Sequence, residues 1–190
     1  MKERPILFKA DMAQAIIDGT KIQTRRIVKP KDGWLCPYGL PGDRLWVRET
    51  WCVGNIYDSI KPSKLWTGND DESLAVDYKA NEKRIWSKSD QGKWRPSIFM
   101  PRWASRIDLE ITNVCIELVQ DISQDAICKE GIWNSSPEYR SELCVWRDCV
   151  SAIHKIRIKY FKILWDSINA KRGYGWDTNP YVWVLEFKKI

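Results

Sequence analysis

The apolar run Ile6-Leu7-Phe8 reads as a strand, and the period then changes: Met12, Ile16 and Ile17 fall on one helical stripe within residues 11–18. Gly19 stands where a left-handed cap would end that helix. Residues 21–28 are predicted to be extended, stopping at Pro30, and residues 31–43 have the proline and glycine content of a loop. Apolar and polar positions alternate through Arg44-Leu45-Trp46-Val47-Arg48-Glu49-Thr50-Trp51, the pattern of a half-buried strand. Residues 53–95 are mostly polar, with 74–78 as their strand-like run, and are expected to be an insertion; ordered sequence resumes at Pro96.

Residues 107–118 alternate again and predict a long strand. Ser123 can cap a short helix over Gln124–Lys129 that Gly131 ends. A second polar insertion is expected over 132–149. An amphipathic helix over Val150–Asn169 then turns Ile153, Ile156, Phe161, Leu164 and Ile168 inward, and residues 181–187 form the closing strand. Several strands with few helices indicate an α+β fold, a small barrel or curled sheet with flanking helices. A length of 190 residues fits one domain spanning 1–190.

Hydrophobic residues make up 44% and charged residues 29%, which excludes a mostly disordered chain. No apolar run is long enough for a membrane span, and Met1-Lys2-Glu3-Arg4-Pro5 leads into no signal region, so a cytoplasmic monomer away from membranes is expected. The six cysteines form no C-x-x-C pair and read as reduced, mostly buried thiols. His154 has no cysteine or carboxylate at metal spacing and reads as a helix residue; neither metal nor cofactor is expected.

The net charge of +6 is unevenly placed: residues 1–31 hold eight basic against three acidic side chains. Together with Lys83, Arg84, Lys88, Lys93, Arg95 and Arg102 they are expected to form a positive face suited to phosphate-bearing partners. Of the twelve tryptophans, Trp46, Trp51, Trp103, Trp165, Trp176 and Trp183 lie in or beside apolar runs and are expected in the core. Trp34, Trp66, Trp86, Trp94 and Trp133 lie in polar sequence, where an indole either packs a loop or stacks on an unpaired base.

Gly19-Thr20-Lys21-Ile22-Gln23-Thr24-Arg25-Arg26, following a short helix, resembles the G-x-K-x-x-T-x-R signature of the ASCH family. Residues 41–51, 100–107, 164–169 and 179–184 are similar to segments of the longer phage and prophage ASCH proteins. The resemblance implies a PUA-like β-barrel and an association with RNA or a modified nucleoside. Small bacterial members hydrolyse N(4)-acetylcytidine with a Lys, a Thr and a Glu. Residue by residue, that implies Lys21 and Thr24, and an ungapped match of the helix beginning at Ile122-Ser123 adds Glu130. Arg25, Arg26, Arg48, Glu49, Arg102 and Trp103 are the implied substrate or RNA contacts, with Glu49 the alternative carboxylate.

The trio has a chemistry of its own. A threonine hydroxyl becomes a nucleophile when a base takes its proton, and a lysine serves as that base once its pKa is lowered. The charges of Arg25 and Arg26 are available to lower it. Glu130 would orient the amine or protonate a leaving cytosine amine. Equally open are a phosphate anchor at Lys21, a structural hydroxyl at Thr24 and a helix-end ion pair at Glu130, so the alternatives to an amidohydrolase are a non-catalytic RNA-binding module and a ribonuclease.

Overall fold

The computed structural model describes residues 1–30, 33, 35–65, 74–81, 83–132, 137–145 and 150–190. Five strands form the main sheet: β1 (Glu3–Leu7), β2 (Gln23–Ile27), β3 (Arg44–Arg48), β6 (Asp108–Leu118) and β7 (Tyr181–Lys189), in the order β1-β3-β6-β7-β2. The β1–β3 pair is parallel and the other pairs are antiparallel. A second sheet pairs β4 (Trp51–Cys52) with β5 (Asp77–Tyr78). The helices are α1 (Ala10–Ile17), α2 (Gln124–Lys129), α3 (Pro137–Val145) and α4 (Val150–Asn169). No helix among the described residues is long and apolar enough to cross a membrane.

Both faces of the sheet are covered. One face gathers Ile6, Leu45, Val47, Leu109, Ile111, Trp183, Leu185 and Phe187 around Phe8 and the buried side of α1. The other carries Ile27, Val182 and Val184 against α2 and α4, where Phe161, Trp165 and Trp176 pack. The end strands come close enough for the Arg26 guanidinium of β2 to donate to the Leu7 carbonyl of β1 at 2.7 Å, so the sheet is strongly curled. The two strands do not pair with each other, and the expected barrel is not closed. Part of the curl comes from a bulge: the register of β6 against β7 shifts between Ile111 and Asn113, placing Thr112 outside the ladder.

Two expected strands end differently. β1 starts at Glu3, before its apolar run, because backbone pairing with Arg44 and Leu45 extends it. The alternating run 44–51 breaks at Glu49 and Thr50, and Trp51 leaves for the second sheet opposite Tyr78. There Trp51, Val53, Leu65, Met100 and Ala104 form a third apolar cluster, so residues 53–95 share a small core with the segments that flank them. Trp46, Trp51, Trp165, Trp176 and Trp183 are buried as expected, and the half-buried Trp103 meets Trp51 edge-on at 5.8 Å. Trp94 lies under the Arg84 guanidinium and Trp86 against Gly54; Trp34, Trp66 and Trp133 fall outside the described residues. Among the cysteines, Cys36 and Cys52 are buried, whereas Cys115 is exposed and Cys128 half-buried. The exposure of Cys115 follows from the bulge, which shifts the inward-facing positions of β6 from Leu109 and Ile111 to Val114.

The junction between α1, β2 and α2 depends on one glycine. Gly131 has φ +74°, and a Cβ there would stand 2.7 Å from the Lys21 Cβ and 3.2 Å from the Ala15 Cβ. Gly173 has φ +82° with open space around it. Gly173→Ala should therefore lose only the left-handed backbone preference, about 1–2 kcal/mol, whereas Gly131→Ala adds a steric overlap in the core and should lose clearly more. Urea unfolding of the two variants checks the difference, and equal losses would show that the Lys21 contact yields without cost.

Candidate functional site

Three short segments converge beside the gap between β1 and β2. The turn after α1 is closed by the Thr20 and Lys21 amides donating to the Ala15 carbonyl, which aims the chain into β2. The end of α2 is stitched to that turn by the Ile22 amide donating to the Lys129 carbonyl at 2.9 Å and by a bridge between Lys21 and Glu130. Ser123 caps α2 through the Ala126 amide, and Glu130 occupies its C-cap.

Lys21 is 1% exposed, and its ammonium donates three hydrogen bonds: to the Gln23 carbonyl at 2.9 Å, the Glu130 carbonyl at 2.9 Å and Glu130 Oε2 at 2.7 Å. Glu130 Oε1 accepts from Arg25 at 3.0 Å, and the same guanidinium reaches Glu117 at 2.6 Å and the Gln23 side chain at 3.0 Å. One carboxylate is thus shared by two buried cations. Burial pushes the Lys21 amine below its ordinary pKa, Glu130 opposes that shift, and the like charges of Arg26 and Arg25 add the smallest contributions. The repulsion expected from the arginines is present, but desolvation dominates it.

The Gln23 carbonyl that holds Lys21 belongs to the peptide joining Gln23 to Thr24, so the amine lies beside the Thr24 backbone. The Thr24 hydroxyl makes no hydrogen bond among the described residues, and Thr24 lines a cleft of about 320 Å³. The cleft opens between β1 and β2 and is roofed by α4: Leu7, Met12, Arg26, Glu130, Phe161 and Trp165 are among its walls. Arg26 is pinned by the Leu7 carbonyl and lies over the Phe8 ring at 5.0 Å.

The fold brings Lys21, Thr24, Arg25, Arg26 and Glu130 together, and the other four candidate residues stand elsewhere. Arg48 lies over Trp46 and donates to the Ile98 carbonyl at 3.3 Å. Glu49, 1% exposed, is held by Arg106 at 2.9 and 3.1 Å. Arg102 pairs with Glu3 and Asp108, and Trp103 packs on Trp51. None of the four lines the cleft. Although β3 neighbours β1, with Arg48 opposite Leu7, these side chains are committed to Trp46 and Ile98, Arg106, Glu3 and Asp108, and Trp51. The expected positive face is reduced for the same kind of reason, since Arg95 is buried against the Tyr57 and Ile60 carbonyls. Lys83, Lys88 and Lys93 are exposed.

The sequence reading missed three participants. Glu117 and Gln23 orient Arg25, and Arg172, in the turn Ala170–Arg172 after α4, borders the cleft. Glu117 and Arg172 are distant in sequence from the signature and carry no local signal. Gln23 lies inside the signature at a position it leaves unspecified.

No family model and no curated protein matches this chain. The chain is similar to a solved structure of an ASCH domain from Lactobacillus crispatus JV V101, with 12% identity over 99% of this chain and 79% of the other and a TM-score of 0.44. A likeness this loose carries no argument about function.

Replacing Glu130 by Gln leaves Lys21 buried without its counter-charge, which should cost about 3–5 kcal/mol. The folded pKa of Lys21 lies below its ordinary 10.5, so between the two values the unfolded chain binds more protons and stability climbs with pH. Glu130→Gln removes what holds that pKa up and should start the climb at lower pH, measurable by denaturant unfolding from pH 6 to 10. Parallel pH profiles for variant and wild type would show that Lys21 titrates independently of Glu130.

Proposed function

We propose that the cleft hydrolyses the acyl amide of an N(4)-acylated cytidine, with Thr24 as nucleophile, Lys21 as base and Glu130 as proton store. The observation that carries this reading is the Thr24 hydroxyl, without a partner among the described residues, lining a cleft beside a buried lysine–glutamate pair. The reaction uses the form of that pair in which a proton has passed from the Lys21 amine, whose pKa burial lowers, to Glu130 Oε2. Rotation about the Cε–Nζ bond then turns the amine lone pair towards Thr24. The hydroxyl attacks the acyl carbonyl carbon and its proton goes to Lys21. The bond from that carbon to N4 breaks as N4 takes the proton from Glu130, releasing cytidine and leaving an acyl ester on Thr24. Water cleaves the ester, which frees the carboxylic acid and restores the hydroxyl.

A second reading, a module that holds RNA or a modified nucleoside without chemistry, is favoured by one feature: all three N–H groups of the Lys21 ammonium are already engaged. Incubation with N(4)-acetylcytidine, followed by separation of cytidine, distinguishes the two. Thr24→Ala should reduce turnover by at least ~10³-fold while the protein stays folded, since a nucleophile and its base fail as a unit, and Thr24→Ser should keep part of it. Turnover surviving in Thr24→Ala would mean direct attack by water. No turnover by the wild type, with cytidine still bound, would establish the binding module instead.

A further inference from the structure

The walls of the cleft are charged on one side. Arg25, Arg26, Lys29 and Arg172 border it, and Glu130 is the one acidic residue among them. That carboxylate already serves Lys21 and Arg25. Other guanidiniums are neutralised by partners: Arg102 by Glu3 and Asp108, Arg106 by Glu49. Arg26 and Arg172, by contrast, have no carboxylate partner among the described residues. The Arg26 Nε is buried with nothing to donate to, although the side chain is held in place by the Leu7 carbonyl and the Phe8 ring. Arg172 is exposed at the mouth and close enough for its charge to act on Arg26.

Two like-charged guanidiniums on one cavity, one of them fixed and with an idle buried donor, make an arrangement that an anion relieves. Phosphate oxygens suit it because they accept several charge-assisted hydrogen bonds at once. An acylated cytosine ring and a ribose are neutral and give neither guanidinium an ion-pair partner. We infer that the substrate of this cleft carries a phosphate, held between Arg26 and Arg172, so that the protein acts on a cytidine nucleotide in preference to the free nucleoside. The inference rests on the deacylase reading of the same site and makes these two arginines its specificity determinants.

Calorimetric titration of the whole protein with cytidine, cytidine 5′-monophosphate, adenosine 5′-monophosphate and inorganic phosphate tests it without requiring turnover. Cytidine 5′-monophosphate should bind at least about tenfold more tightly than cytidine, the size of a charge-assisted contact. Arg172→Gln should abolish that advantage, whereas Lys171→Gln, the same charge change on an exposed neighbour outside the cleft wall, should keep it. A trinucleotide with a central cytidine separates the two sources of phosphate: a gain shared with the diester means a strand, and one confined to the monoester means a mononucleotide. Equal affinity for cytidine and its monophosphate would overturn the phosphate site and leave the deacylase reading standing. Adenosine 5′-monophosphate or inorganic phosphate binding as tightly as the cytidine nucleotide would support the anion site and overturn the cytidine assignment. Absence of binding by every probe at millimolar concentration would overturn both.

Discussion

A carboxylate at the C-terminal end of a helix meets the partial negative charge of the free peptide carbonyls, and a buried one also loses its hydration. Glu130 is in both positions, 6% exposed at the C-cap of α2. Lys21 and Arg25 make its placement tolerable, one cation on each carboxylate oxygen. The same contacts fix the turn that leaves α1, the entry into β2 and the end of α2. Gly131 is required next to it because the Lys21 Cβ stands 2.7 Å from where a Cβ would be. The charge cluster is therefore a structural joint first, and whatever chemistry Thr24 performs is performed beside a joint already under electrostatic tension.

The open sheet follows from how β1 and β2 are used. Each pairs on one side only, β1 with β3 and β2 with β7, and side chains occupy the space where they would meet. Arg26 spans that space with one hydrogen bond, and α4 lies over it. A closed ring would satisfy more backbone groups and leave no room for a ligand. The cleft and the failure to close are one feature.

Much of the basic charge is consumed internally. Arg25, Arg95, Arg102 and Arg106 each bind carboxylates or carbonyls within the fold, and Arg84 covers Trp94. The count of 31 basic side chains thus overstates the cationic surface open to a partner. The tryptophans are also used internally: Trp183 packs in the core, and the others described pack against glycine, guanidinium or another ring.

The elements of the fold were legible from local periodicity, because strands and helices with one apolar face announce their period. Residues 11–18, 107–118, Gln124–Lys129 and Val150–Asn169 were all visible in this way, and the signature Lys21, Thr24 and Arg26 together with Glu130 named residues that meet. Tertiary structure decided which carboxylate serves Lys21. Glu49 and Glu130 are both buried acids; the docking of the end of α2 on the turn after α1 places Glu130 at the joint, and Glu49 is committed to Arg106. It also decided that burial, more than the neighbouring arginines, depresses the lysine, and that Arg172, remote from the signature, borders the cleft. Desolvation and convergence of distant segments depend on how the whole chain excludes water, and no local window of sequence contains that information.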